Sequence, residues 1–534
     1  MATTTAAAVA RALAERGIDR AFGLPGGEVL VLIDELRKAG IDFVLMRHEA
    51  NAGLAAAVYG KLKGQPGVVI ATLGPGAANL LLPVANAYLD QEPLLAITAQ
   101  LADDVPPGHT HQLLPLLDTY RPICKVVEKI TCANARDTIR LALDSCMERP
   151  YGVSYVTLSA REALKPVTAG MPSRNGHGHD TVIHRADARA AALALEAKLS
   201  KAERPLVLVG LSVDQGHAPR LREWLTRWNL PVAVTPKAKG IVDETAPNFV
   251  GVISGMAADG LMVDALKASD LLIGVGLDPV EIDKTWHAEL PIEWLLESPN
   301  ATGRVPDGVG LIDHAKVLAA LAAAAPPRTW TQPFAEFQKQ RLDLLNGQAS
   351  GAGVMWPGDL IRALSTAVPA ETIVTTDVGS HKYLFGQFWP SRHPETFWMS
   401  NGLSGMAYGL SAAIGAKLAR PDAPVLAAVG DGGFSMNAQE LETAERVGAP
   451  FVTVVLEDGS YSLIKLAQEN RKLESYRMDF RPIDNVKMAE SCGVEALRTS
   501  NPDQLATAVR RAVGQGKSLV ACVPVHYADY RKLF

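Results

Sequence analysis

Residues 425–463, VLAAVGDGGFSMNAQELETAERVGAPFVTVVLEDGSYSL, read as strand, glycine turn, helix and strand. The apolar run Val425–Val429 ends at Gly430-Asp431-Gly432, with Gly433 following. A helical stretch is expected over Asn437–Val447, and the second apolar run, Phe451–Leu456, ends at Glu457-Asp458-Gly459. A carboxylate therefore stands at the carboxyl end of each strand, where a parallel sheet presents its ligand-binding loops. Two converging acidic oxygens suit a hard cation, and glycine lets phosphate groups approach the backbone. Gly-Asp-Gly alone reads as an ordinary surface turn. The second acidic turn makes it one of a pair.

The rest of the chain bounds what that pair belongs to. A length of 534 residues exceeds one growing core and predicts two to four domains. A hydrophobic fraction of 48% with 20% charged residues reads as a folded α/β protein, not a disordered one. A net charge of -5 predicts no nucleic-acid partner. Cys124, Cys132, Cys146, Cys492 and Cys522 make neither a zinc spacing nor a disulfide framework, so reduced thiols in a cytoplasmic protein are expected. Met1–Val9 lacks a basic leader and a long apolar core, and Leu80–Ala87 is too interrupted to span a membrane, so neither export nor a membrane partner is predicted.

Outward from the acidic pair, the same strand-then-glycine design recurs. Strands are predicted at 18–22, 41–45, 68–72, 94–98 and 153–158, with helices at 3–16, 50–61 and 78–89. Pro25-Gly26-Gly27 and Gly74-Pro75-Gly76 are their turns. A linker over 168–180 holds His177 and His179, and solvation explains them better than a metal does. Apolar strands at 206–209, 232–234 and 271–275 build a second α/β domain, with helices at 317–325 and 330–345. A second linker over 346–354 precedes strands at 373–375 and 519–523. The expected domains are 1–170, 190–330 and 355–534. The first and last share a design without matching residue for residue.

The spacing of the two acidic turns resembles the diphosphate and magnesium signature of thiamine-diphosphate enzymes. The wider chain resembles their acetohydroxyacid synthase and 2-oxoacid decarboxylase group, and looks most like its flavin-free catabolic acetolactate synthases. The likeness is strongest over 44–160 and 374–492. It implies a three-domain fold, each domain a parallel sheet flanked by helices. It also implies a homodimer or homotetramer that builds each cofactor site from the first domain of one chain and the third of another. Thiamine diphosphate and Mg²⁺ are the expected cofactors, with Asp431, Asp458 and the Ser460 carbonyl as metal ligands.

The same resemblance assigns the other candidates. Glu49, in Arg47-His48-Glu49, matches the glutamate that exchanges a proton with the pyrimidine ring so that the thiazolium C2 proton can leave. Without the resemblance it would be a surface charge or helix cap. Gly76 and Asn79 fall in a turn beside the pyrimidine, and Pro25, Gly26 and Thr72 are further cofactor-binding candidates. His111-Gln112 resembles a catabolic-synthase pair, Gln112 donating to a substrate oxygen and His111 positioning or relaying a proton; a satisfied loop histidine is the alternative. Ser380, His381, Gly430, Gly432 and Gly433 fall near the diphosphate. Ser404, Gly405 and Met406 match the segment that props the bent cofactor, while Tyr461, Leu463 and Ile464 line the substrate cleft. Two departures stand out: Glu457 replaces the usual asparagine, and Lys465 replaces a commonly acidic residue. Lys465 either favours an anionic substrate or points to solvent. The stretch Gly276–Trp286 lacks the arginines of flavin-containing synthases, so FAD is not expected. The implied reaction is decarboxylating carboligation of pyruvate or a related 2-oxoacid. The alternative is another lyase, carboligase or decarboxylase using aldehyde, acyl or phosphorylated substrates.

Overall fold

Apolar runs closed off by glycine and proline become strands buried on both faces, as in a parallel sheet covered by helices. The computed structural model describes residues 3–106, 108–168, 186–253, 255–282 and 289–533, the Lys532 side chain excepted. Among these residues the chain forms three sheets, and every paired strand is parallel. The first contains β1 (Arg20–Leu24), β2 (Asp42–Leu45), β3 (Gly67–Ala71), β4 (Leu94–Thr98), β5 (Val126–Lys129) and β6 (Val153–Thr157), ordered β2-β1-β3-β4-β6-β5. The second contains β7 (Pro205–Val209), β8 (Val232–Val234), β9 (Phe249–Val252), β10 (Leu271–Val275) and β11 (Ile292–Leu295), ordered β11-β10-β7-β8-β9. The third contains β12 (Ile373–Thr376), β13 (Phe397–Met399), β14 (Val425–Gly430), β15 (Val452–Glu457), β16 (Glu495–Arg498) and β17 (Leu519–Pro524), ordered β13-β12-β14-β15-β17-β16.

The first and third sheets follow one plan. Counted within each sheet, the order is second, first, third, fourth, sixth, fifth. The duplication that the residues barely betray is plain in the connectivity. The fold class expected from the sequence is correct.

Several boundaries differ, for local reasons. Glu49 does not precede its helix but begins it, at Glu49–Lys63. Asp431 likewise opens a helix, Asp431–Asn437, and a second one follows at Glu440–Arg446 in place of a single helix over 437–447. The helix expected over 330–345 is shorter, Ala335–Asp343. Most of the first linker, with His177 and His179, lies outside the described residues, as do Asp283–Trp286 of the stretch compared with flavin enzymes.

By compactness the chain divides into two units. One holds the residues up to Asp180 together with Ser411–Pro421 and Gln439–Ala449; the other holds Thr181–Leu410, Asp422–Ala438 and Pro450–Phe534. The second unit thus contains the second and third sheets. Buried polar contacts link these: Gln387 donates to the Val252 and Ala257 carbonyls at 2.8 and 2.7 Å, and Lys239, paired with Glu244 at 2.5 Å, donates to the Trp389 carbonyl at 2.9 Å.

Candidate active site

In the first unit the contacts converge on Glu49. It is the first residue of its helix, so its carboxyl stands at the unsatisfied backbone N–H groups of that end. It is buried, and Asn79 Nδ2 donates to Oε2 at 2.9 Å. A Cβ on Gly76 would come within 3.2 Å of Oε1, so glycine at 76 keeps the space beside the carboxyl open. Thr72 borders Gly76 and donates to Glu28 at 2.6 Å; its Oγ1 would lie 2.5 Å from a Cβ on Gly26, so a side chain at 26 would collide with it. Gly74, at φ +60°, allows the turn into the helix Pro75–Asn79 and sits under Gln112. Glu49, Gly76, Asn79, Thr72, Gly26 and Gln112 are therefore joined by a chain of contacts around one turn. Gln112 also lines a cavity of about 540 Å³. His111 and Pro25 are exposed and do not line it.

Glu440, which sequence reasoning missed, anchors this helix from within the same unit. It is fully buried and accepts from Arg47 N at 3.0 Å, Asn51 Nδ2 at 2.9 Å and Thr443 Oγ1 at 2.7 Å.

In the second unit a cavity of about 130 Å³ lies at the carboxyl ends of β14 and β15. Ser380, His381, Met406, Gly430, Gly432, Gly433, Ser460, Tyr461, Leu463 and Ile464 line it with Asp431 and Asp458. Asp431 accepts from Gly432 N at 2.8 Å and Gly459 N at 2.9 Å, which ties the two acidic turns together. Asp458 accepts from Ser460 N at 3.2 Å and from the Ser462 hydroxyl. Burial raises the pKa of both carboxyls, and each is raised further by a neighbouring acid, Glu457 for Asp431 and Asp431 for Asp458; Asp458 reaches about 7. Two crowded carboxyls of this kind suit a divalent cation held by oxygen.

The same cavity suits an anion beside that cation. The helices beginning at Ser380, Asp431 and Ser462 have no side-chain cap, and their first residues line the cavity. The Ser380 hydroxyl and His381 Nε2 are buried without a hydrogen-bond partner among the described residues. Burial depresses the His381 pKa to about 3, so its ring is neutral. Gly433 leaves room for Asp377, whose carboxylate accepts from Val378 N, Ala407 N and Tyr408 N at 2.7–3.2 Å. That holds the loop carrying Met406, in which Ser404 and Ala407 both take left-handed backbone, at φ 56° and 68°. Strain of this sort persists where the surroundings enforce it. Lys382 donates to Ser404 Oγ at 3.0 Å, and Gly405 N to Ser400 Oγ at 3.0 Å.

Both departures acquire a physical reading. Glu457 takes a two-pronged contact from Arg498 on β16, at 2.7 and 3.0 Å, and a third bond from Asn485 at 2.9 Å. Lys465 does not stand free in solvent: it bonds Asp479 at 2.8 Å and lies over the Tyr527 ring. Tyr530, from the carboxyl-terminal turn, lines the cavity as well. It belongs to no pattern that the sequence displays.

Three family models match this chain. "Thiamine pyrophosphate enzyme, N-terminal TPP binding domain" covers residues 3–116, the corresponding central domain 192–296, and the C-terminal TPP binding domain 377–522. "Acetolactate synthase" of Bacillus subtilis (strain 168) is 30% identical over 97% of this chain and 92% of its own length. This chain belongs to the thiamine-diphosphate-dependent acetolactate synthase family. Other relatives are "Acetolactate synthase isozyme 2 large subunit" of Escherichia coli (strain K12), 28% identical over 94% of this chain and 92% of its own, and "Acetolactate synthase, catabolic" of Raoultella terrigena, 27% identical over 97% and 94%. As a member of the acetolactate synthase family the protein is a thiamine-diphosphate enzyme that forms carbon–carbon bonds. Among its described residues no helix is long and apolar enough to cross a membrane.

Proposed function

We propose that this protein is an acetolactate synthase: two molecules of pyruvate and one proton give 2-acetolactate and carbon dioxide. The observation that carries the reading is the tie between Asp431 and the Asp458 turn beside three uncapped helix starts, in a chain that matches acetolactate synthases along almost its whole length. Thiamine diphosphate supplies the carbon nucleophile and the electron sink for decarboxylation. Asp431, Asp458 and the Ser460 carbonyl would hold Mg²⁺, whose charge would offset that of a diphosphate. The helix starts at Ser380, Asp431 and Ser462 donate to its oxygens. Met406 would pack against the cofactor, and Glu49, oriented by Asn79, would exchange a proton with its pyrimidine ring. Gln112 donates to a substrate oxygen, and Leu463 and Ile464 enclose the substrate methyl group.

A homodimer or homotetramer fits this assignment. Leu81, Leu82, Leu113 and Leu114 in the first unit, and Leu403, Met436 and Ile464 in the second, are large apolar side chains left exposed near the cofactor candidates. Three domains bounded near 1–170, 190–330 and 355–534 are part of the same reading, as is a cytoplasmic setting, supported by five free thiols.

The central domain works without FAD. In an open parallel sheet a dinucleotide lies across the carboxyl ends of the strands, its phosphates on backbone N–H groups. Here Glu281 takes that ground: its buried carboxyl accepts from Leu211 N at 2.8 Å, Lys237 N at 2.9 Å and Thr235 Oγ1 at 2.5 Å, beyond the ends of β7 and β8.

Product analysis by mass spectrometry tests the activity, with purified protein, thiamine diphosphate, Mg²⁺ and pyruvate. 2-Acetolactate should form with one carbon dioxide per product. Acetaldehyde alone, or turnover only with an aldehyde or a phosphorylated substrate, would replace this reading with the alternative one.

A further inference from the structure

A second cluster of ligand-bearing side chains lies away from the cofactor candidates, at the carboxyl end of the central sheet. His217 closes a short turn after β7, Glu297 follows β11 by two residues, and His314 begins the helix His314–Ala323. One ligand atom from each comes within 4.8 Å of the others, the one such group of three among the described residues. His217 Nε2 lies 3.4 Å from Glu297 Oε2, and His314 Nδ1 lies 4.0 Å from the same oxygen. The three side chains are 20%, 17% and 1% exposed.

We propose that His217, Glu297 and His314 form a binding site for a borderline divalent cation of the Zn²⁺ type. The closest pair has a metal-like spacing, while His314 Nδ1, 4.0 Å from Glu297 Oε2, would have to close by several tenths of an ångström around a tetrahedral ion. A charge-assisted imidazole–carboxylate bond closes to about 2.7–2.9 Å. An edge of about 3.4 Å is what two ligands of a tetrahedral ion present when each bond is about 2.0–2.1 Å. The supporting bonds aim the ligand atoms inward. His314 Nε2 bonds the Leu295 carbonyl at 2.9 Å, which makes Nε2 the protonated nitrogen and turns the lone pair of Nδ1 toward Glu297. Glu297 Oε1 accepts from His314 N at 3.3 Å, leaving Oε2 toward the imidazoles. The two rings stand nearly perpendicular, at 81°, with centroids 6.0 Å apart, so they approach one point from different directions. Two nitrogens and one oxygen select zinc over magnesium, and water completes the fourth position. The ion would tie the β7 turn, the β11 exit and the following helix together, acting on stability and not on the carboligation site.

Calorimetric titration of chelator-treated full-length protein with Zn²⁺, under saturating Mg²⁺ to occupy the acidic turns, tests the assignment. One equivalent per chain should bind and raise the unfolding temperature. His217→Gln should weaken that binding by at least about 100-fold, above what loss of an outer-shell partner costs. Asp431→Asn should leave it intact. Co²⁺ should give the visible bands of a low-coordinate site in wild type and Asp431→Asn, and not in His217→Gln. Absence of Zn²⁺ uptake by the wild-type protein, or uptake unchanged in both His217→Gln and Glu297→Gln, would overturn the proposal.

Discussion

Glu49 starts its helix and accepts from the Asn79 amide, while the glycine at 76 keeps one carboxyl oxygen accessible. Glu49→Gln retains an acceptor for Asn79 and removes the shareable proton. On bound cofactor, exchange of the thiazolium C2 hydrogen for deuterium should slow by about 10²-fold or more, as quench-flow NMR would register. Folding stability should change by no more than about 1 kcal/mol, the scale of a charge at a helix end. Wild-type exchange in that variant would reduce Glu49 to a helix-capping role. At Glu457 the forecast concerns a support. Arg498→Met removes the two-pronged contact from a partly exposed pair, so stability should drop by about 1 kcal/mol. Mg²⁺-dependent affinity for thiamine diphosphate should fall several-fold, because Asp458 is the next residue. Asp431 and Asp458 were legible in the sequence because each ends an apolar run at a glycine. Glu440 and Tyr530 were not, since a side chain brought in from another element leaves no local spacing to read.

Among elements, the unpredicted strands share a cause. β5, β9, β11, β13 and β16 are all edge strands of three to four residues. β5 (Val-Val-Glu-Lys) and β16 (Glu-Ala-Leu-Arg) are only partly covered and carry charge accordingly, whereas β9 and β13 are buried throughout and three or four residues are too few to show a period. The interior strands, apolar on both faces, were all legible. The loop after β10 offers a test at this scale. Burial lifts the Glu281 carboxyl from the ordinary 4.5 to about 7. Between these values the unfolded chain has lost the proton that the folded protein keeps. The stability from this group is therefore full below 4.5 and is lost as pH rises through about 7. Glu281→Gln cannot ionise and should lack that decline. From about pH 4.5 to about pH 8 the wild-type protein should lose stability relative to the variant by on the order of 2 kcal/mol, seen as converging or crossing thermal unfolding midpoints. A constant gap between the two would assign Glu281 an unperturbed acidity.

For the whole molecule, the metal and the assembly are the accessible variables. Asp431→Ala should weaken thiamine-diphosphate binding by about 30-fold or more, equivalent to the roughly 2 kcal/mol of a charge-assisted contact, and EDTA should do the same to wild type. Calorimetric affinity indifferent to both would remove the cation from the site. Cofactor-saturated protein should run as a dimer or larger by light scattering; an active monomer would contradict the shared-site reading. One feature of the compact units bears on how the protein is made. The unit holding Glu49 also contains Ser411–Pro421 and Gln439–Ala449, and Gly415 lies so close to the Ala55 backbone that a Cβ would come within 2.2 Å of its carbonyl oxygen. A ribosome that has finished the first sheet must still add the whole central domain before those helices emerge, roughly 15–55 s at ordinary elongation rates. Through that interval the helix Glu49–Lys63 leaves Asn51 without Glu440 and its small-residue face bare, so the first sheet's packing is complete only once residue 449 has left the exit tunnel.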